Sequence, residues 1–247
     1  MKQRFLTCAL AAVCITYLSL SSAYAIDTNI KSYVCGKLDD FSAHITVVKA
    51  DQRELGKINR DGGLFYKFSD IFMRYKEPNK VRIEGNIQGT RGVYIVDGTV
   101  QLVSIPRVNY KTKRDFGSSP GKKKTLVDVG LISDFYLTYT NAKFLREASV
   151  DGVPCAAFEM RYMDKEDTSH QIMYIDPKTK VIRKREAYTQ QGKLQAVYYY
   201  KEVKEVAPGI WFPTEIEAQN TDRVVAGVTA YKDIKVNTGL SDSVFKL

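Results

Sequence analysis

A two-residue alternation of apolar and polar side chains limits the possible folds more than any other property of this sequence. Between Phe41 and Val47 every second side chain is apolar, which is typical of a strand with one buried face. Turn signals separate further runs of this kind, because glycine accepts a positive φ at low cost. These signals are Asp61-Gly62-Gly63, Glu77-Pro78-Asn79, Asp97-Gly98, Asp151-Gly152, Asp176-Pro177-Lys178-Thr179, Gln191-Gly192 and Pro208-Gly209. The pattern predicts a meander of about ten or eleven antiparallel strands.

Two segments have helical spacing instead. Residues 28–38 form a short helix pattern that Thr28 or Asn29 could cap, and residues 128–139 form a longer amphipathic one. A large antiparallel sheet must roll, close or be covered, because its apolar face would otherwise stay exposed. We therefore predict a mainly β (α+β) fold, a curved antiparallel sheet half-wrapped around one or more helices. The helix at residues 128–139, hinged by a mobile basic loop at residues 117–121, is expected to move.

The amino end has the form of a secretion signal. Lys2 and Arg4 precede a mostly apolar run over residues 5–20, and Ala23-Tyr24-Ala25 places small residues at the positions that a signal peptidase recognises. The run is shorter than the ~20 residues needed to span a bilayer. Residues 1–25 are predicted to be a cleaved signal peptide, and residues 26–247 a single exported domain, since no linker or low-complexity segment interrupts them.

Net charge limits the possible binding partners, and the cysteine content limits the possible disulfides. The formal net charge is +9, so the surface suits anionic lipid head groups or acidic proteins, whereas nucleic acid is not expected outside the cytoplasm. Beyond the signal peptide the chain keeps Cys35 and Cys155. An oxidising compartment allows a disulfide between them, and two buried free thiols are the alternative.

Motifs for catalysis or metal binding are absent from the sequence. The chain has two histidines, His44 and His170, and lacks the His-Glu-x-x-His, Cys-x-x-Cys and Gly-x-Ser-x-Gly patterns. Cys155 with His170 as its base could form a nucleophilic pair, but a cysteine within an apolar strand more often belongs to the core. We therefore predict no enzyme activity, no metal and no cofactor.

Two groups of residues are candidates for binding. Aromatic and aliphatic side chains could line a cavity for acyl chains, with packed core as the alternative; they are Phe41, Ile45, Phe65, Phe68, Phe72, Phe135 and Tyr139. A run of cations could bind an anionic membrane surface or an acidic envelope protein, with a solvated loop as the alternative; they are Arg107, Lys111, Lys113, Arg114, Lys122, Lys123 and Lys124.

Several segments together resemble the LolA/LolB-like superfamily of outer-membrane lipoprotein-sorting carriers. The first, Lys76-Glu77-Pro78-Asn79-Lys80-Val81-Arg82, matches a Lys-x-Pro-x-x-x-Arg turn and strand; it is followed in the same order by Asp176-Pro177-Lys178-Thr179, Gly192-Lys193-Leu194 and Pro208-Gly209-Ile210-Trp211-Phe212-Pro213-Thr214. The resemblance implies a curved half-barrel covered by helices, in a soluble periplasmic carrier or chaperone that shelters acyl chains of a lipid or lipoprotein. Sensors in the same superfamily imply the alternative, a non-enzymatic periplasmic sensor or scaffold module that binds an acidic protein.

Overall fold

The computed structural model describes residues 25–59 and 62–246. In these residues the chain forms one sheet of thirteen antiparallel strands, which is not closed into a barrel. The strands are β1 (Asp40–Ala50), β2 (Ser69–Lys76), β3 (Lys80–Ile87), β4 (Thr90–Asp97), β5 (Val100–Ile105), β6 (Tyr110–Asp115), β7 (Thr140–Val150), β8 (Val153–Tyr162), β9 (His170–Ile175), β10 (Ile182–Tyr188), β11 (Leu194–Ala207), β12 (Ile210–Gln219) and β13 (Val225–Val236). The predicted mainly β, antiparallel class is confirmed, with more strands than expected. Residues 1–24 of the predicted signal peptide lie outside the described part.

The strand order explains how the sheet is covered. The chain starts at the centre with β1, runs outward through β2 to β6 at one edge, continues at the other edge with β7, and returns inward to β13 beside β1. Residues 116–139 therefore connect the two edges and must cross one face of the sheet. We call this connection the crossing segment and the face on which it lies the covered face; the other is the open face.

The covered face carries the main core. Phe41 on β1 packs against Tyr75 and Phe212, with ring centroids 5.6 and 4.9 Å away. Phe158 and Tyr200 extend this buried layer towards β7. The open face is more polar, because alternate residues of the same strands point away from the core.

Three local expectations are wrong. Gly62-Gly63 of the predicted Asp61-Gly62-Gly63 turn does not join two strands, and Asp61 lies outside the described residues. Instead, β1 is followed by the helices α1 (Gln52–Ile58) and α2 (Gly62–Phe65), and β2 starts only at Ser69. Residues 28–38 contain just a 3-10 turn, Ile30–Tyr33, capped by Asn29 as predicted. Residues 128–139 hold the end of a 3-10 turn, Leu126–Val129, and the single-turn helix α3 (Asp134–Leu137) in place of one continuous helix.

The expectation of a loop over residues 107–124 is also wrong in part. Residues Tyr110–Asp115 are β6, which pairs with β5 along its whole length. The sequence does not reveal this strand, because its three cations and exposed positions hide the alternation of apolar residues. An edge strand rich in lysine is common, since charge discourages pairing with other chains.

Candidate functional site

In the structure, the predicted cavity residues lie in three kinds of position: in the core, on the open face, and at partly buried sites. Phe41 and Ile45 are 0 % and 3 % exposed and belong to the packed core of the covered face. Phe72 lies on the open face, where its ring contacts His44 at 4.6 Å and carries the Arg74 guanidinium at 4.2 Å. Phe72 is therefore not on the same face as Phe41 and Ile45.

The remaining four are partly buried, and three of them, Phe65, Phe68 and Tyr139, pack against the core of the covered face. Phe68 lies over Gly85 and Gly92, where an added Cβ would come within 3.0 and 2.7 Å of its ring atoms. Phe65 contacts Tyr66 edge to face. Phe135 and Tyr139 belong to the crossing segment and contact each other, with ring centroids 5.4 Å apart.

The crossing segment is anchored to the sheet rather than loosely hinged. The backbone N–H of Ile182 donates to the carbonyl of Gly130 at 2.8 Å, and the Tyr200 hydroxyl donates to the carbonyl of Val127 at 2.9 Å. Gly130 has φ +86°, and an added Cβ would lie 2.7 Å from Tyr200, so glycine is required there. Leu131 and Ile132 are completely buried. The middle of this segment is therefore core.

A hollow floored by small residues lies beside this core, beneath α1 and α2. Its floor is formed by Ala196, Ala218 and Gly227 on β11, β12 and β13. Leu55, Ile58 and Tyr66 form a roof over it and leave a cavity of about 40 Å³. A Cβ at Gly227 would lie 2.3 Å from Tyr66 Cε1, so the Tyr66 ring occupies the space that a side chain would fill. We call this feature the alanine-floored hollow.

Tyr198 connects the hollow to a buried charge. It pairs with Ala218 on one side and with Arg185 on the other, and it lines the cavity. The Arg185 guanidinium lies over its ring at 4.4 Å. Arg185, Tyr198, Ala218 and Gly227 thus form one row across four neighbouring strands of the covered face.

Arg185 is held by partners from the sheet and from the crossing segment. It is 7 % exposed, donates from Nη1 to Gln171 Oε1 at 3.1 Å, and donates from Nη2 to Asp128 Oδ1 at 3.3 Å. Burial acts to raise the pKa of Asp128, but the charges of Lys124 and Arg185 and the hydrogen bond from the Thr125 N–H hold it below its usual value. The pair is therefore ionised and joins the segment to the sheet.

Several polar atoms in this region are buried without a hydrogen-bond partner among the described residues. They include Arg185 Nε and the hydroxyls of Tyr136 and Tyr139. Tyr139 stacks on Tyr162 at 6.4 Å, and the Tyr162 hydroxyl accepts a hydrogen bond from Gln171 at 2.8 Å. Burial raises the pKa of Tyr162 to about 12, so it stays neutral. Unpartnered buried donors are costly, and they are common where a ligand completes the network.

The predicted basic surface divides between exposed and buried residues. Lys111, Lys113 and Arg114 are exposed on β6, and Arg107 and Lys122 are exposed outside this strand. Lys124 is half-exposed and pairs with Asp128 at 3.7 Å. Lys123 is only 9 % exposed and places its ammonium 4.4 Å from the centre of the Tyr139 ring, so its assignment to the surface is wrong.

The two cysteines are free thiols in the structure, buried in different clusters. The disulfide considered from the sequence is therefore not formed. Burial raises the pKa of Cys155 to about 12, which keeps its thiol protonated and poorly nucleophilic at neutral pH. Among the described residues no group of three or more His, Cys, Asp or Glu side chains is placed to hold a metal ion.

Sequence reasoning missed Arg185 and the alanine-floored hollow. One signal was present: Arg183, Lys184 and Arg185 follow each other in a strand, so cations point to both faces and at least one must enter the covered face. The hollow had no such signal, because alanine and glycine are distributed throughout the sequence and only the strand register brings these together.

Comparison with solved structures identifies the fold. The chain is similar to a DUF1329 family protein from Desulfovibrio piger, with 15 % identity, a TM-score of 0.63, and coverage of 88 % of this chain and 92 % of that one. A putative outer membrane lipoprotein-sorting protein domain from Vibrio parahaemolyticus matches with 15 % identity, a TM-score of 0.60, and 87 % and 92 % coverage. A LolA superfamily protein from Nitrosomonas europaea matches with 14 % identity, a TM-score of 0.60, and 87 % and 94 % coverage.

These similarities confirm the LolA-like resemblance at the level of the fold. Within the described chain, each helix is too short or too polar to cross a bilayer. No curated protein matches the sequence significantly. A family model described as "Uncharacterized protein" matches residues 119–247, which is more than half of the sequence, and the chain belongs to this family.

Proposed function

We propose that the protein is a periplasmic, non-enzymatic carrier or chaperone that shelters acyl chains of a lipid or lipoprotein on the covered face of its sheet. The signal peptide predicted at residues 1–25 would deliver it to that compartment as a soluble domain. The observation that carries the proposal is the alanine-floored hollow. The LolA-like fold supports it, since a protein of similar fold is described as an outer membrane lipoprotein-sorting domain.

The geometry favours loading beneath α1 and α2. Small side chains at Ala196 and Ala218 leave volume above the sheet, and the roof fills most of it with Tyr66. The remaining cavity of about 40 Å³ is far below the roughly 300–1,000 Å³ of ligand pockets. An acyl chain must therefore displace the roof, and it gains about 0.8 kcal/mol for each CH₂ that leaves water.

This route differs from the motion expected from the sequence. The crossing segment is fixed by its backbone bond to Ile182 and by the buried Leu131 and Ile132. The roof packs on the sheet through Tyr66, Leu55 and Ile58 over small residues. Its polar links come from α1 and its cap: Asp51 donates to the Ala226 carbonyl, Glu54 accepts from Asn220, and the Ile58 carbonyl accepts from Gln195. We therefore place the opening at the roof.

The test is mass spectrometry under non-denaturing conditions on protein purified from its native envelope. We expect a bound acyl-bearing species in stoichiometric amount. Ala218→Val adds two methyl groups to the cavity and should abolish this species. Overpacking there should cost about 1–3 kcal/mol, so a cooperative unfolding transition is measured in parallel to show that the variant folds. Ala230→Val makes the same change on the open face of β13 and should keep the species.

Repeated absence of acyl species from the wild-type protein would contradict the proposal. Equal retention by both valine variants would show that the hollow is not the binding site.

A further inference from the structure

We infer that Arg185 recognises the anionic head group of an acyl-bearing ligand, and that Asp128 occupies the place of this group in the present structure. The ligand class is an amphiphile with one phosphate or carboxylate beside its hydrocarbon chain. The inference rests on the proposed function and adds its chemical selectivity.

The surroundings of Arg185 suit the binding of an anionic ligand. Its cross-strand neighbours Met173 and Tyr198 are uncharged, so the sheet itself supplies no acid to it there. A guanidinium has five N–H donors in a fork that matches a carboxylate or phosphate. The Nε donor is buried without a partner among the described residues, so the fork is not saturated.

Asp128 is a replaceable partner because a single side-chain oxygen makes its contact with Arg185, while the backbone of the crossing segment stays anchored elsewhere. Its Oδ1 is 3.3 Å from Arg185 Nη2, while its Oδ2 accepts from the Thr125 N–H at 2.9 Å. A free anion could take two parallel hydrogen bonds from the same guanidinium, which is the stronger arrangement. The Tyr139 hydroxyl is likewise buried without a hydrogen-bond partner among the described residues.

The position of Arg185 also suits the chain attached to such a group. Arg185, Tyr198, Ala218 and Gly227 follow each other across β10 to β13. Strands are about 4.8 Å apart, so this row is roughly 14 Å long. A head group at Arg185 would direct its hydrocarbon chain over Tyr198 and into the alanine-floored hollow.

The experiment measures binding of amphiphiles that share a dodecyl chain, below their micelle concentrations, by calorimetry. The probes are dodecyl phosphate, dodecanoate, dodecyl maltoside and dodecyltrimethylammonium, with inorganic phosphate alone as a further probe. We expect the two anionic amphiphiles to bind most tightly to the wild-type protein, and inorganic phosphate to bind far more weakly.

Two substitutions should act in opposite directions on the anionic probes. Arg185→Gln should weaken dodecyl phosphate about tenfold or more, and Arg185→Lys, which keeps the charge but loses the fork, should weaken it less. Asp128→Asn should strengthen it about threefold, because it removes the competing charge and keeps an oxygen for the Thr125 N–H. The affinity for dodecyl maltoside should be unchanged by all three substitutions. Arg161→Gln, at an exposed ion pair with Glu159, is the matched control.

The outcomes separate this inference from the proposed function. Equal binding of all dodecyl probes, unchanged in Arg185→Gln, would overturn the head-group inference and leave the acyl carrier standing. Weaker binding of dodecyl phosphate to both Arg185→Gln and Asp128→Asn would overturn the inference, because it would show that the Arg185–Asp128 ion pair has a purely structural role. Inorganic phosphate binding as tightly as dodecyl phosphate would indicate a site for a free anion. Failure of every dodecyl probe to bind would contradict the proposed carrier function itself.

Discussion

Glu77, in the turn between β2 and β3, is a carboxyl whose burial opposes its ionisation. Burial raises the pKa of Glu77 to about 7, and the nearby charges of Asp134 and Asp39 act in the same direction. The Tyr75 hydroxyl donates to Glu77 at 2.8 Å and compensates only in part. Ionising this group therefore costs the folded state free energy at neutral pH.

We predict that Glu77→Gln stabilises the protein at and above pH 7 by about 1 to 2 kcal/mol. The folded pKa is raised above the ordinary value of 4.5, so the native state takes up a proton more readily than the unfolded chain as pH falls from 7 to 4.5. In the wild-type protein, the contribution of Glu77 to the free energy of unfolding therefore increases as the pH falls over that window. The increase is absent from Glu77→Gln. Urea unfolding at several pH values measures the difference between the two proteins.

Stability must be compared between the wild-type protein and the variant at each pH, because His170 also contributes to the pH dependence of stability. Its pKa is lowered by burial and by Arg161, so it contributes the opposite slope in both proteins. A wild-type minus variant difference that stays constant from pH 4.5 to 7 would contradict the assignment to Glu77.

At the scale of elements, the roof is held closed by the start of α1. The Asp51 side chain accepts from the N–H groups of Arg53 and Glu54 at 3.0 and 3.1 Å, and its own N–H donates to the carbonyl of Ala226 at 2.8 Å. Helices this short depend on such capping and on packing. The cap therefore controls how often the roof opens.

We predict that Asp51→Ala costs about 1 kcal/mol, and that the loss is confined to the roof. Amide hydrogen exchange in α1 and α2 should become faster while the strands keep their protection. Uptake of dodecyl phosphate should also become faster, because the hollow is exposed more often. Ser133→Ala removes the matching cap of α3, where Ser133 accepts from the Tyr136 N–H, and should leave exchange in the roof unchanged. Uniformly faster exchange throughout the sheet would refute a separate roof.

These elements also show what the sequence could and could not predict. The turn at Asp151-Gly152 was predictable because it depends on local chemistry, and both residues have positive φ. The apolar spacing of residues 128–139 was misleading, because a segment that is buried while crossing a sheet shows apolar residues at many intervals. Gly130 breaks the helix through its contact with Tyr200, which is 70 positions away and invisible in the sequence.

For the whole molecule, the order of the strands decides where function can lie. The chain begins and ends its sheet at the centre, where β1 pairs with β13, and the edges are formed by β6 and β7. The connection between the edges covers one face and buries Asp128 against Arg185. The same order leaves β6, with Lys111 and Lys113 exposed, as an edge available to other chains.

We predict that the double substitution Lys111→Val and Lys113→Val makes the protein self-associate. Exposed backbone N–H and C=O groups at an edge pair with other chains unless charge prevents it, and valine favours the extended conformation. Analytical ultracentrifugation over a range of concentrations should show dimers or larger species for the variant and monomers for the wild type. Lys204→Val, at an exposed position of the interior strand β11, should remain monomeric. A monomeric double variant would instead mean that the edge is protected by its shape, and that the cations of β6 serve an acidic partner.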